Sequence, residues 1–528
     1  MEALGLRVGA LRQALAGRIG AAMSEGDLPA GVGAIAAALV TGQRGPVPPE
    51  LLQAYRDAGL AHVLVIAGMH MSMVAGLIFF ALRGLLAAIP AVALRYPIKK
   101  WTAAGALLVT AGYLVISGAP VPTQRAFIMS GIVLLAVLFD REAISLRSLA
   151  WAAAAVLLTR PEALLGPSFQ MSFAAVTALV AAYEEAGPRL MLLRRRGGGW
   201  WREGLLYVGG ILLTTLVAGT ATAPYTAFHF ERFATYGLLG NALAVPVVGF
   251  WIMPAALVAM LLLPFGLDGW AWRLMGHGIA AVDWVARWVS GLPGATVDLP
   301  AMPVAALAVF TVGGLWLALW RGRWRGFGVA GMAAGLLLYA LHRPPDVLVD
   351  GEGTMAAVRG ASGTLSFVGA DRRALRQSWR RLAGEGPPAA TMTATMTTAA
   401  RRPMPGRDGS GVCAAGVCRT SVRGRRLVLL RGPAPSGEAC AGADIVLAAP
   451  RADFCPGARF TLTASALRRQ GATALWLDGG GGVRELGVAV AQGRRPWSAP
   501  LAQAMSEEDA AALAFPDQAE TAGARKRR

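Results

Sequence analysis

Residues 62–89 read HVLVIAGMHMSMVAGLIFFALRGLLAAI, from His62 to Ile89. An α-helix needs about 20 predominantly apolar residues to cross a bilayer core, and this run exceeds that length. No carboxylate occurs anywhere between Asp57 and Asp140. Further apolar stretches run from Trp101 to Ser117, Ala126 to Phe139, Ser148 to Leu158, Ser168 to Tyr183, Leu205 to Ala223, Tyr236 to Leu263, Met302 to Trp320 and Phe327 to Leu341. The 528-residue chain is 55% hydrophobic and 15% charged, against about 25% charged for soluble domains. Its mean hydropathy is +0.50. This pattern predicts a polytopic α-helical membrane protein and argues against an ordinary soluble enzyme.

The formal charge is +19, which in a membrane protein points to cytoplasmic anchoring loops or a polyanionic partner. Basic loops separate the apolar stretches: Arg95, Lys99 and Lys100; Arg141 and Arg147; Arg189, Arg194, Arg195, Arg196 and Arg202; Arg321, Arg323 and Arg325. All are expected to face the cytoplasm. Each crossing flips the side, so 236–299 must contribute an even number of crossings. A break at Gly240 and Pro246 would make Tyr236 to Leu263 re-entrant and give zero, the preferred option; a full crossing that returns through Met275 to Val289 gives two. With a re-entrant segment, Met275 to Val289 reads as an interfacial helix in which Asp283 pairs with Arg287, and Trp284 with Trp288. Both options leave Pro344 onward outside the cytoplasm. Residues 1–60 read as an N-terminal extracytoplasmic or amphipathic segment without a cleavable signal peptide. Residues 61–341 read as the transmembrane domain, and 342–528 as a soluble domain.

Polar residues at membrane depth are the candidates for function. Gly68, Ser72 and Gly76 recur every four residues, a stripe suited to close helix packing. His70 lies opposite it, either as a hydrogen-bonded core imidazole or as a pore residue. Arg125 follows Pro120, Pro122 and Thr123, and reads either as a snorkelling cation or as a phosphate contact. Gln170, flanked by Ser168 and Ser172, suits a bond across helices. His229 falls in a non-cytoplasmic loop after Pro224. Asn241 would satisfy backbone opened by the break or line a pathway. The glycine run 479–482 lacks the Lys-Ser/Thr of a P-loop. The sequence offers no catalytic constellation, ATPase signature, cofactor motif or metal site.

These positions lie in ordered motifs: His62-Val-Leu-Val-Ile-Ala-Gly-Met-His70, Pro122-Thr-Gln-Arg125-Ala126, Pro167-Ser-Phe-Gln170-Met-Ser-Phe-Ala174, Pro224-Tyr-Thr-Ala-Phe-His-Phe230 and Asn241-Ala-Leu-Ala-Val-Pro246. Over residues 30 to 320 the chain resembles the competence domain of the ComEC family, membrane channels for DNA uptake in natural transformation. Ala67 stands where that family usually has Ser. The resemblance implies an inner-membrane channel for single-stranded DNA, with His70, Arg125, Gln170, His229 and Asn241 along the path. It further implies a DNA receptor and a cytoplasmic motor as partners, alongside membrane lipids and homo-oligomerisation. Relatives carry an upstream region with further spans and an OB-like domain, so a truncated or mis-started form is expected. Many also end in a metallo-β-lactamase-like nuclease domain. Pro345-Asp-Val-Leu-Val-Asp-Gly-Glu-Gly353 is similar to the opening of that fold, but no histidine follows His342. The zinc site of such a hydrolase lacks its imidazoles, which makes the tail a degenerate, inactive copy.

The tail reads as a small α/β domain, with strands at Val347 to Val349, Leu427 to Leu430, Asp444 to Leu447 and Thr473 to Leu477, and a helix at Leu462 to Arg469. Pro387 to Pro405 reads as a flexible insertion, and Ala524 to Arg528 as a disordered end. Cys413, Cys418, Cys440 and Cys455 suit disulfides in an oxidising compartment, pairing Cys413 with Cys418 and Cys440 with Cys455 as the first choice of three connectivities. A four-thiolate zinc is the rival, though no C-x-x-C pair is present. The tail's net charge of about +10 would attract DNA weakly. The alternative to a DNA channel is a membrane transporter or scaffold for small or lipid-like molecules with no nucleic-acid role.

Overall fold

The computed structural model describes residues 2–24, 28–43, 45–142, 144–195, 199–386, 412–414, 416–431 and 437–493. The basic side chains of Arg189, Arg194, Arg195 and Arg196, the 387–405 insertion and the terminal 524–528 run lie outside what is described. Two compact units meet in sequence between His342 and Arg343.

In the first unit α1 (Glu2–Ser24), α2 (Val32–Thr41) and α3 (Pro49–Asp57) precede a 3-10 turn, Ala61–Leu64, and then α4 (Gly68–Ala87). A short α5 (Pro90–Arg95) leads to α6 (Ile98–Ile116), α7 (Val121–Leu138), α8 (Leu146–Thr159), α9 (Pro167–Arg195) and α10 (Trp200–Phe230). Strand β1 (Arg232–Ala234) precedes α11 (Gly237–Val247), and a π-turn, Val248–Ile252, joins that helix to α12 (Met253–Leu262). After α13 (Gly269–Ser290) come β2 (Thr296–Asp298), α14 (Val304–Leu319) and α15 (Gly326–Ala340). Every expected apolar stretch falls on these helices. Among the described residues four helical runs are long and apolar enough to cross a membrane: Gly68–Ala87, Val121–Leu138, Trp201–Phe230 and Gly237–Phe265. The unit is helical, with runs suited to crossing a membrane.

Three expectations are corrected here. Gly240 and Pro246 do not break the chain: the helical path continues from Gly237 to Phe265. Proline lacks an N–H and clashes one turn back, and the extra residue of the π-turn absorbs this around Pro246 and Pro254. There the N–H of Met253 reaches back to the carbonyl of Val248. Strands β1 and β2 pair antiparallel, Arg232 opposite Asp298, so the path out through α12 and back along α13 ends where it began. The helical run is long and apolar enough for the two-leg option. Residues 1–60 are also no separate segment, because Leu15, Ile19, Ile35, Leu39, Leu51 and Tyr55 share a core with α13 residues Trp272, Met275 and Ile279. Finally, α13 sinks one face into that core. Its Asp283 accepts a 2.5 Å hydrogen bond from the Tyr55 hydroxyl rather than serving as a surface partner for Arg287, while Trp284 and Trp288 stack on the exposed face.

The helices alternate between two ends of this unit. At one end Thr123 Oγ1 donates to the carbonyl of Ile66 at 2.8 Å, and Arg232 binds Asp57 at 2.9 Å and Asp298 at 3.2 Å. At the other, Lys100 pairs with Asp140 at 2.6 Å, and Arg321 and Arg325 reach Glu184 and Glu185. The basic loops at 95–100, 141–147 and 321–325 thus gather at the second end.

The second unit is a two-sheet sandwich. Strands β3 (Val347–Val349), β4 (Met355–Arg359) and β5 (Leu365–Gly369) precede α16 (Arg373–Leu382), followed by β6 (Val412–Ala414), β7 (Val417–Val422), β8 (Arg425–Leu430), β9 (Ile445–Ala449) and β10 (Phe460–Thr463). Helix α17 (Ala464–Gln470), β11 (Thr473–Leu477), β12 (Val483–Gly487) and α18 (Val488–Gln492) complete it. The sheets run β12-β11-β3-β4-β5 and β10-β9-β8-β7-β6, and Val347, Val358, Leu429, Ile445 and Leu447 interleave between them. Leu462 and Thr463, expected to begin a helix, close β10; Thr463 then caps α17 through a bond from the Ala466 N–H. The 350–353 turn is held by the buried Asp350 carboxylate, which accepts from the N–H groups of Thr354 and Met355.

Candidate functional site

The end marked by Ile66 and Arg232 collects the starts of four helices. The chain is extended at Ala67 before α4. Pro120 and Pro122 bracket the start of α7, where a proline costs no helical hydrogen bond. A 3-10 turn, Pro161–Leu165, hands over to Pro167 at α9, and α11 begins at Gly237. Gly59 takes φ +73° against Gly237, where a Cβ would stand 2.9 Å from the Gly237 Cα. A side chain at Gly59 would push the 58–67 segment off α11. Helix starts present unpaired N–H groups and partial positive charge, an environment suited to anions.

The expected residues Arg125, Gln170 and His229 all make polar contacts at this end, in two sets that both include the start of α9. The Arg125 guanidinium is 5% exposed, and its Nη2 donates to Ser172 Oγ at 3.1 Å. Among the described residues no carboxylate pairs with it. Two residues earlier on α9, Gln170 donates from Nε2 to the Leu164 carbonyl at 3.1 Å, and its Oε1 lies 2.8 Å from His229 Nε2. His229 is therefore not in a loop: α10 continues through Pro224 to Phe230, as proline is tolerated in membrane helices whose neighbours satisfy the freed backbone. A carbonyl oxygen only accepts, so His229 donates from Nε2 and its Nδ1 is the acceptor left over.

His70 and Asn241 stand outside these contacts. His70 is fully buried, and among the described residues neither of its ring nitrogens nor the buried Oδ1 of Asn241 has a hydrogen-bond partner. Among the described residues no helix packs closely on the Gly68, Ser72 and Gly76 stripe. A Cβ on either glycine would meet nothing within 4 Å, and Ser72 is exposed, its hydroxyl turned to the Gly68 carbonyl of its own helix. The face of α4 that packs in this chain carries His70, Met71, Val74, Ala75 and Ile78. Sequence reading missed Thr123 and Ser172 as connectors, although both lie inside the quoted motifs. It also missed the Asp57–Arg232–Asp298 clamp, whose members lie too far apart in sequence to signal one another.

In the second unit Cys413 is joined to Cys418 and Cys440 to Cys455. Among the described residues no three His, Cys, Asp or Glu side chains stand together as metal ligands. Asp346 is buried and takes bonds from Arg343 at 3.1 Å, Arg423 at 2.7 Å and the Leu477 N–H at 2.8 Å. These satisfy the carboxylate as a structural group.

The family model described as "Competence protein" matches residues 39–324, more than half of the chain. The chain belongs to the competence protein family. All five candidate pathway residues of this competence protein lie inside the matched region. It is 26% identical over 348 residues to ComE operon protein 3 of Bacillus subtilis, covering 64% of this chain and 40% of that protein. It is 28% identical over 358 residues to competence protein ComA of Neisseria gonorrhoeae, covering 65% and 47%. The chain thus spans less than half the length of these curated relatives. An uncharacterized Escherichia coli protein, YcaI, is 25% identical over 254 residues, covering 48% of this chain and 32% of that protein. No solved structure matches.

Proposed function

We propose that this competence protein is an inner-membrane channel that passes single-stranded DNA into the cytoplasm during natural transformation. The observation that carries the reading is Arg125, a buried guanidinium with a single hydroxyl partner and no carboxylate among the described residues. A buried cation is costly without an anion, and Arg binds phosphate bidentately. The converging helix starts add donors for the same charge, while His70 and Asn241 supply polar atoms with no hydrogen-bond partner among the described residues. In this reading the strand enters at the end marked by Ile66 and Arg232, and the basic loops lie in the cytoplasm. The helices cross as a polytopic bundle, the second unit lies outside the cytoplasm, and the motor and the DNA receptor are other competence proteins. The tail binds no catalytic metal and cleaves no DNA.

The test is uptake of labelled DNA in the source organism with the gene deleted and then restored as wild type or as Arg125→Ala. Deletion is expected to abolish uptake. Arg125→Ala should lower it at least tenfold at unchanged membrane protein level. Normal uptake without the gene would overturn the proposal.

A further inference from the structure

Helices α14 and α15 form a hairpin so close that a Cβ on Gly313 would lie 2.5 Å from the Met332 nitrogen, and one on Gly328 2.5 Å from the Leu317 nitrogen. Beside this contact runs a cavity of about 780 Å³ lined by Val309, Val312, Trp316 and Trp320 on one side and by Trp324 and Phe327 on the other. Trp316 and Trp320 stack with ring centroids 4.1 Å apart, and Trp324 lies 5.6 Å from Phe327. The Trp316 indole donates to the Trp324 carbonyl at 2.9 Å, which fixes the groove's wall to the turn. That turn carries Arg321, Arg323 and Arg325. Arg321 is 86% exposed in its contact with Glu184, and Arg323 is exposed with no carboxylate partner among the described residues. Arg325 is half-committed already, to Glu185 and to the Leu317 carbonyl.

We propose that this groove is a specific site for an anionic phospholipid, one acyl chain lying along Trp320, Trp316, Val312 and Val309 and the phosphate resting on Arg321 and Arg323. The span from Trp320 to Val309 covers eleven residues of helix, about 16 Å at 1.5 Å per residue, a length matched to an acyl chain rather than a compact ligand. Tryptophan favours the level of the headgroups, and basic pockets between membrane helices hold anionic headgroups on the cytoplasmic side. A second helix fits less well. Helices approach through small residues, and Gly313 and Gly328 are already used against each other inside the hairpin. The occupant also needs a negative charge next to a fully apolar body, as an anionic phospholipid has.

The test uses the full chain in detergent, titrated with phosphatidylglycerol or phosphatidylcholine carrying brominated acyl chains, with tryptophan quenching as the readout. Wild type should be quenched at a concentration at least tenfold lower by the anionic lipid than by the zwitterionic one. Arg321→Gln with Arg323→Gln should erase that preference, and Trp316→Phe with Trp320→Phe should remove most of the quenching while the protein elutes unchanged. Equal quenching by both lipids would mean an ordinary lipid-facing surface and overturn the proposal. So would an anionic preference that survives loss of both arginines. Efficient disulfide-linked dimers of Val312→Cys would assign the groove to a second copy instead.

Discussion

Gln170 Oε1 and His229 Nε2 lie 2.8 Å apart, joining the first turn of α9 to the last turn of α10. The same two helices meet again where the Tyr183 hydroxyl lies 2.8 Å from Thr214 Oγ1, so the Gln170–His229 bond closes one end of an antiparallel pair. Because the amide nitrogen of Gln170 is engaged by Leu164, the imidazole must be the donor, which sets its tautomer and leaves Nδ1 free. Gln170→Ala and His229→Ala should each reduce DNA uptake severalfold. Since they break one bond, the double variant should be little worse than either single one, a coupling read from the uptake cycle. Additive losses would mean that the two act independently.

Arg125→Lys separates charge from geometry. Lysine keeps the charge but loses the planar fork, so uptake should fall between that of wild type and Arg125→Ala. His70→Ala and Asn241→Ala remove buried atoms with no hydrogen-bond partner among the described residues, and both should lower uptake more than membrane protein level. Matched loss of uptake and protein would show that these side chains hold helices together.

The topology is checked by single cysteines at exposed positions in the two regions. Ser362→Cys in the second unit should label from outside intact spheroplasts, and Glu142→Cys in a basic loop only after permeabilisation. Ser436 and Gly198, natural alternatives from the sequence, lie outside the described residues. Labelling of Ser362→Cys solely from the cytoplasm would reverse the orientation.

Asp268, in the turn before α13, accepts from Arg18 Nε at 3.0 Å and from the Trp272 indole at 2.8 Å. Burial pushes its carboxyl up, but the Arg18 and Trp272 hydrogen bonds outweigh burial and hold it below the usual 3.8. A depressed acid stabilises the fold above its unfolded value and loses that contribution as pH falls through the folded one. Asp268→Asn should therefore cost about 1–2 kcal/mol at neutral pH. The gap in thermal stability from wild type should close below about pH 4.

The protein should show no zinc- or manganese-dependent cleavage of DNA. Non-reducing peptide mapping should recover the Cys413–Cys418 and Cys440–Cys455 peptides. Cleavage abolished by EDTA, or four free thiols holding one zinc, would contradict these outcomes.

Apolar length alone marked α4, α6 to α12, α14 and α15, because burying a backbone in lipid demands continuous internal hydrogen bonding, which a long apolar helix provides. The ordered motifs also placed Arg125 and Gln170 in the candidate site before any coordinates. What the sequence misplaced were features that depend on neighbours. Pro224 and Pro246 read as stops, yet α10 and α11 run through them, since an adjacent helix or a π-turn can take up what proline disrupts. The Gly68, Ser72 and Gly76 spacing says that a close partner could fit, not that one is present. Residues 1–60 read as an extracytoplasmic or amphipathic segment, and only packing against α13 shows that Leu15, Ile35 and Leu51 belong to the core. Local sequence determined where helices form and which polar groups sit in them. The tertiary structure decided which of those groups meet, as hydrogen-bond partners such as Gln170 and His229 are chosen by distances that a sequence separation of 59 positions does not encode.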